Sequence, residues 1–340
     1  VVQKSGVVKM TVSVNQKEGV QASFLSRAKV AFYEAIKNYR FIDYATQIYI
    51  IITTIIVLIG NSKVGNYWLL LAAIHISVLC AIHLLIKNEY RFKKGSLLEF
   101  LRLYYPIPLY IGFYRETGML NQVFFSGYFD PFFIRLEERL FGCQPSLKFM
   151  EMFPGRIISE IFYISYFSYY LMIAGIGLWL FLKDKKQFHH FVSIVSFVFY
   201  CCFLIYIFLP VVGPRIFYRG VVEFAMPPDI ALDSPPVFPE SVQAGIFYKI
   251  MAIIYDCFEA PGAAFPSSHV AVALTTVYFS FRYLRQIRYF HLVLAILLCA
   301  STVYCRYHYL VDVFAGAITA LITLNIGNRL YFRFVNKNAQ

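Results

Sequence analysis

Two histidines sit in polar clusters, each at the end of a long apolar run. The first cluster is Gly262-Ala263-Ala264-Phe265-Pro266-Ser267-Ser268-His269-Val270; the second is Arg306-Tyr307-His308-Tyr309-Leu310-Val311-Asp312. Pro266 is preset for a first helical turn, and Ser267 and Ser268 are capping residues, so the first cluster predicts a helix start. Backbone N–H groups at such a start face outward and attract anions, phosphate above all. In the second cluster His308 and Asp312 are four residues apart. On one helix face that spacing lets the carboxylate reach an imidazole nitrogen. The chemistry these types suit is phosphoester cleavage. His308 would attack phosphorus as the nucleophile, and Asp312 would orient it and stabilise the positive ring. His269 would protonate the leaving alkoxide as general acid, then activate the next attacking group as base.

Around the histidines, Ser267, Ser268 and local amides are candidates to hold phosphoryl oxygens. Arg215, in Gly213-Pro214-Arg215, suits a planar bidentate clamp on phosphate. Arg306 is two residues from His308 and points away on a continuous helix; it joins the site only if the helix begins near Tyr307. Arg219 is a weaker candidate, better read as membrane-surface charge. Each residue also has a plain structural reading. His308 and Asp312 make a common helix-start pair, His269 a satisfied histidine near the interface, and the serines simple caps. His75 and His83, eight apart on an apolar run, suggest a haem or metal site only weakly, and core packing accounts for them better.

The elements that must position these residues are membrane helices. Of 340 residues, 59% are hydrophobic and 19% aromatic, above the roughly 45–50% apolar content of ordinary globular domains. Several uncharged runs approach twenty residues, so the fold class is all-α, a polytopic membrane bundle. The net charge of +12 does not imply a nucleic-acid partner. Its basic residues cluster at the ends of apolar runs, as at Lys183, Lys185 and Lys186, Arg282, Arg285 and Arg288, and Arg329 and Arg333. That is the positive-inside pattern. Of seven cysteines, Cys143 and Cys257 fall in polar connections whose spacing admits a disulfide.

Residues 1–40 read as a cytoplasmic leader without signal-peptide features, amphipathic from Ser23 to Tyr39. Spans are expected at about 41–60, 67–86, 97–114, 157–182, 189–210, 264–283, 288–304 and 307–329. Basic connections after 87, 183, 284 and 329 lie on the cytoplasmic side, which requires 97–114 to cross despite Glu99, Arg102, Pro106 and Pro108. Parity then gives eight spans, cytoplasmic termini and a short 331–340 tail. It puts Arg215, His269, His308 and Asp312 together at the outer ends of their spans. The division is a 41–156 N-terminal part with an external amphipathic segment at 115–156, then a 157–330 catalytic core. Within that core lies the connection 211–263, and nine of the fourteen prolines fall between Pro210 and Pro266. Its stretch 241–258 is expected to lie flat as a lid.

Phe265-Pro266-Ser267-Ser268-His269, followed by Arg306-Tyr307-His308-Tyr309-Leu310-Val311-Asp312, resembles the signature of the type 2 phosphatidic acid phosphatase superfamily. The resemblance covers about 157–329. It implies a six-helix core and metal-independent, cofactor-free phosphoryl transfer through phosphohistidine, with His308 as nucleophile, Asp312 supporting it and His269 as acid. The sequence departs from that signature in having Ser268 where the family has Gly, Ser301-Thr302 where it has Ser-Arg, and Pro214-Arg215 without a lysine in register. A divergent branch is implied, similar to the inositol phosphorylceramide synthases and sphingomyelin synthases. The expected substrate is a phosphorylated lipid taken from the bilayer at the extracytoplasmic face. Water as acceptor gives a phosphatase, and a lipid or polyol hydroxyl gives a headgroup transferase. A reading of another class is a lipid or small-molecule transporter in which the histidines relay protons.

Overall fold

The computed structural model describes residues 36, 38–94, 96–218 and 237–337. Most of the expected leader, Arg219, the proline pairs Pro227-Pro228 and Pro235-Pro236, and the end of the expected tail lie outside the described residues. The principal helices are α1 (Phe41–Ile59), α2 (Trp68–Lys87), α3 (Leu97–Tyr104), α4 (Pro106–Leu120), α5 (Asp130–Phe141) and α6 (Pro145–Met152). They continue with α7 (Arg156–Lys183), α8 (Lys185–Phe208), α9 (Ile246–Phe258), α10 (Ser268–Tyr283), α11 (Arg288–Tyr304) and α12 (Leu310–Lys337). An isolated parallel bridge pairs Val211 with Ala263.

Among the described residues five helices are long and apolar enough to cross a membrane, not the eight expected. They are α1, the run Asn61–Lys87 that ends in α2, α7, α8 and α12. The other three expected spans form α4, α10 and α11, of 15, 16 and 17 residues. All three fall short of the roughly 20 residues that a 30 Å hydrocarbon core requires. Local chemistry sets each limit. Pro106 opens a new helix instead of continuing α3, and Ser267 caps α10 so that it begins only at Ser268. Beyond α11 the chain leaves helical geometry, with Arg306 at φ 61°.

Segment 97–114 therefore breaks in two. Arg102 of α3 is 2% exposed and donates to both Asp43 oxygens at 2.8 and 2.7 Å and to Glu89 at 3.0 Å. A buried guanidinium is tolerated only when paired in this way, and the pairing ties α3 to the first turn of α1. Lys185 adds a 2.7 Å ion pair to Glu99.

α8 is apolar around its whole circumference and is mostly buried, as such a helix must be. It packs against α1, α4, α7, α10 and α12. Near its start, His190 bonds Tyr283 at the end of α10 and Asn328 late in α12, each at 2.7 Å. One end of the bundle thus gathers the basic residues Lys183, Lys185 and Arg282. The other end gathers the connections that carry the two histidine clusters. Outward faces of α1, α2 and α7 expose Ile48, Ile55, Leu69, Leu70, Leu171 and Leu178, an apolar surface that suits lipid rather than water.

Candidate active site

Three connections are stitched together at the end away from the basic residues. Val211 donates to the Gly262 carbonyl at 3.2 Å, and Ala264 donates to the Val211 carbonyl at 2.8 Å. Arg215 N–H donates to the Arg306 carbonyl at 2.6 Å, and Ser267 N–H to the Asp312 carbonyl at 3.1 Å. Gly213 makes this approach possible: it lies at φ 85°, and a Cβ there would meet the Tyr307 carbonyl oxygen at 2.6 Å. Gly316 does the same between α12 and α10, where a Cβ would meet the Ser267 carbonyl at 2.5 Å.

Two carboxylates of α5 pin these connections from the side. Asp130 accepts from Val212 and Gly213 N–H and from the Tyr309 hydroxyl, all at 2.9 Å. Burial pushes its pKa up to about 6, against those three donors, which pull it down. Glu137 accepts from Leu310 at 2.5 Å and Val311 at 3.2 Å, the open N–H groups that begin α12. Burial pushes Glu137 up to about 8 against the Val311 N–H, with the Asp312 charge adding to the rise.

The chain brings its two candidate histidines together. His269 Nδ1 lies 3.3 Å from His308 Nε2, although 39 residues separate them. His269 is on the first turn of α10, after the Ser267 cap, and Pro266 stands just before that cap instead of within the first turn. His308 differs from its expected place. It lies two residues before α12, so it does not share a helix face with Asp312. The Asp312 Oδ2 to His308 Nδ1 distance is 3.5 Å, while the Ala264 carbonyl stands nearer that nitrogen, at 2.9 Å. Asp312 Oδ2 also accepts the Tyr309 N–H at 2.9 Å, and Asp312 Oδ1 is buried without a hydrogen-bond partner.

Both histidines line a small cavity together with Arg215, Tyr255, Glu259, Tyr307 and Ala264. Arg215 is the one arginine or lysine among the described residues that line it. Its guanidinium lies over the Tyr255 ring at 4.6 Å and the Tyr307 ring at 5.6 Å, and it is ion-paired with Glu259. Burial pulls the Arg215 pKa down, but Glu259, Tyr307 and Tyr255 together outweigh this and leave it raised. The other expected phosphate ligands stand off the lining. Ser267 Oγ accepts the Val270 N–H at 3.3 Å as a helix cap, and Ser268 N–H donates to the Tyr206 hydroxyl at 3.1 Å. The Arg306 guanidinium lies 5.0 Å from the centre of the Phe238 ring, outside the lining.

Sequence reasoning did not find Tyr166, Tyr255, Glu259, Asp130 or Glu137. Tyr166 accepts or donates a 2.9 Å hydrogen bond with His269 Nε2 and also bonds the Tyr255 hydroxyl. The one available signal was the placing of Tyr255 and Glu259 at the end of the expected 241–258 helix, next to the first cluster. α9 packs on α7 through Tyr248 on Tyr163 and Phe247 on Phe167. His75 and His83 have separate partners. His75 pairs with Glu116 at 3.0 Å and Thr54 at 2.9 Å, and His83 bonds Tyr39 at 2.8 Å. Cys143 and Cys257 are both free, so no disulfide joins them.

No curated protein and no solved structure matches the chain. A family model does, over residues 132–326, which is more than half of the 340 and includes both histidines, Arg215 and Asp312. The chain belongs to the PAP2 superfamily, a membership that implies phosphatase or phosphotransferase activity.

Proposed function

We propose that this membrane protein moves the phosphoryl group of a phosphorylated lipid by way of a phosphohistidine at His308. The single observation carrying the reading is the 3.3 Å approach of His269 Nδ1 to His308 Nε2 beside Arg215 in one cavity. The Ala264 carbonyl can only accept, so it holds the proton on His308 Nδ1 and puts the lone pair at Nε2. That lone pair attacks phosphorus; the N–P bond forms as the P–O bond to the leaving alcohol breaks. His269 gives the departing oxygen its proton. Water or an alcohol then loses a proton to His269 and attacks phosphorus, breaking the N–P bond and restoring His308. Arg215 binds the phosphate oxygens in the place where Glu259 now holds it.

The apolar outer faces of the long helices support a lipid substrate. The basic residues at the far end of the bundle support an extracytoplasmic site, because such clusters stay in the cytoplasm. The test is purified protein with phosphatidic acid, with and without inositol or ceramide, followed for inorganic phosphate and for new lipid. His308→Ala is expected to abolish both products while the protein still folds. Full turnover by that variant eliminates the mechanism, and lipid movement without either product favours a transporter instead.

A further inference from the structure

We propose that Tyr166 is the positioning residue for His269, a hydroxyl that holds Nε2 and leaves Nδ1, the nitrogen facing His308, to give and take the catalytic proton. The inference rests on the reading of His269 just given. Its basis is the order in which protons must lie along a chain of hydrogen bonds. The Ala264 carbonyl accepts from His308 Nδ1 at 2.9 Å, so His308 Nε2 carries a lone pair. His269 Nδ1, 3.3 Å away, must then be the N–H of that contact. A neutral His269 consequently has its lone pair at Nε2, where the Tyr166 hydroxyl donates at 2.9 Å. The Tyr166 oxygen in turn accepts from the Tyr255 hydroxyl. One backbone carbonyl thus fixes the resting proton position on both rings and both phenols.

The acid form reverses the outer half of the chain. Imidazolium carries N–H on both nitrogens, so Nε2 then donates to Tyr166, whose own O–H turns to the Tyr255 oxygen. The proton given to the leaving oxygen comes from Nδ1, and Nε2–H stays on Tyr166 while Nδ1 takes the next proton back. A carboxylate at Nε2 would stabilise the imidazolium and make its Nδ1–H a weaker acid. The two histidines are backed accordingly. His308, which keeps its Nδ1 proton throughout, has a carbonyl and a carboxylate behind it. His269, which must gain and lose a proton at Nδ1, has two hydroxyls behind Nε2.

The second hydroxyl comes from a different element. Tyr166 is on α7, whereas Tyr255 is on α9 and is stacked on Tyr307 at 4.2 Å. The relay is therefore complete only with α9 seated. Other groups facing His269 are His308, with Asp312 behind it, Tyr169 of α7 at a ring distance of 4.5 Å, and Tyr206 of α8 under the first turn of α10. Across the cavity stand Tyr114 of α4, Arg215, Glu259 and Tyr307. Of these residue types only histidine ordinarily titrates near neutral pH. Asp130 and Glu137, raised to about 6 and 8 beside Tyr309 and Leu310, titrate there too, so the limb is assigned to His269 by its shift in Tyr166→Phe.

The experiment compares pH–rate profiles of the unaltered protein, Tyr166→Phe, Tyr255→Phe and His269→Ala with phosphatidic acid as probe. In Tyr166→Phe the imidazolium loses a hydrogen-bond acceptor in a dry site and is harder to form. The limb on which His269 acts as acid should move about one unit to lower pH, and kcat at pH 7 should fall roughly tenfold with KM unchanged. Tyr255→Phe should shift the same limb in the same direction by less. An unshifted limb in Tyr166→Phe overturns the inference. Should that variant not fold, an unshifted limb in Tyr255→Phe overturns it equally. His269→Ala separates the two levels: retained turnover there sinks the reading of His269 itself. Lost turnover there, with an unshifted Tyr166→Phe profile, sinks only the role given to Tyr166.

Discussion

At the scale of single residues, the proton on His308 Nδ1 has two acceptors within reach, and their distances rank them. The Ala264 carbonyl is at 2.9 Å and the Asp312 carboxylate at 3.5 Å. In hydrolase triads the carboxylate does two jobs, fixing the tautomer and stabilising the imidazolium, and its amide analogue costs about 10⁴ in kcat because the tautomer is wrong. Here the carbonyl already fixes the tautomer, so Asp312→Asn removes only the charge. The expected loss in kcat is on the order of a hundredfold, against complete loss for His308→Ala. A drop of 10⁴ or more in Asp312→Asn would show that the carboxylate sets the tautomer. The histidines themselves were legible in the sequence because their signal is local: residue type, a serine cap and a position at the end of an apolar run. Tyr166 and Glu259 were not. Each is an ordinary member of its own segment and acquires a role only through a partner 103 or 44 residues away.

Helix starts and their caps are the next scale, and they explain which expectations failed. Spacing suggested that His308 and Asp312 share a helix, but α12 begins only at Leu310. Its first N–H groups are taken by Glu137 from α5, and Asp312 turns back to the Tyr309 N–H. A cap delivered by a distant element leaves no local pattern to read, whereas the Ser267 cap of α10 is written next to the helix it starts. The α5 carboxylates have a consequence for stability. Burial raises Asp130 to about 6 and Glu137 to about 8 in the folded protein, from ordinary values of 3.8 and 4.5. The folded state therefore holds more protons than the unfolded chain across that interval, and stability falls as pH rises through it. Melting temperature in detergent is expected, from these groups, to be highest below about pH 4 and to decline toward pH 8. Glu137→Gln, which keeps an acceptor for Leu310 and Val311, should flatten the decline between pH 6 and 8. An unchanged slope in that variant would mean that another group carries it.

For the whole molecule, hydropathy gave the class of fold and overcounted its spans. Spans were expected at 264–283 and 288–304, but where the helices α10 and α11 begin and end is decided by the Ser267 cap and by the turn through Arg306. Segment 97–114 is decided by the burial of Arg102 against Asp43. With five long spans parity no longer sets sidedness, and the proposed extracytoplasmic site rests on which helix ends meet. His190, Tyr283 and Asn328 bring the beginnings and ends of α8, α10 and α12 to one end, where the basic residues are. The cavity is at the other. Two exposed positions report on these ends: Cys257, free at the end of α9 beside Glu259, and Arg285 in the basic turn between α10 and α11. A membrane-impermeant maleimide added to intact cells should label Cys257. On a Cys257→Ser background, Arg285→Cys should react only after the membrane is opened. The positive-inside rule requires this order because moving the basic turns to the outer face would oppose the charge bias that sets topology. Labelling of Arg285→Cys in intact cells, with Cys257 protected, would place the cavity in the cytoplasm and restrict its lipid supply to the inner leaflet.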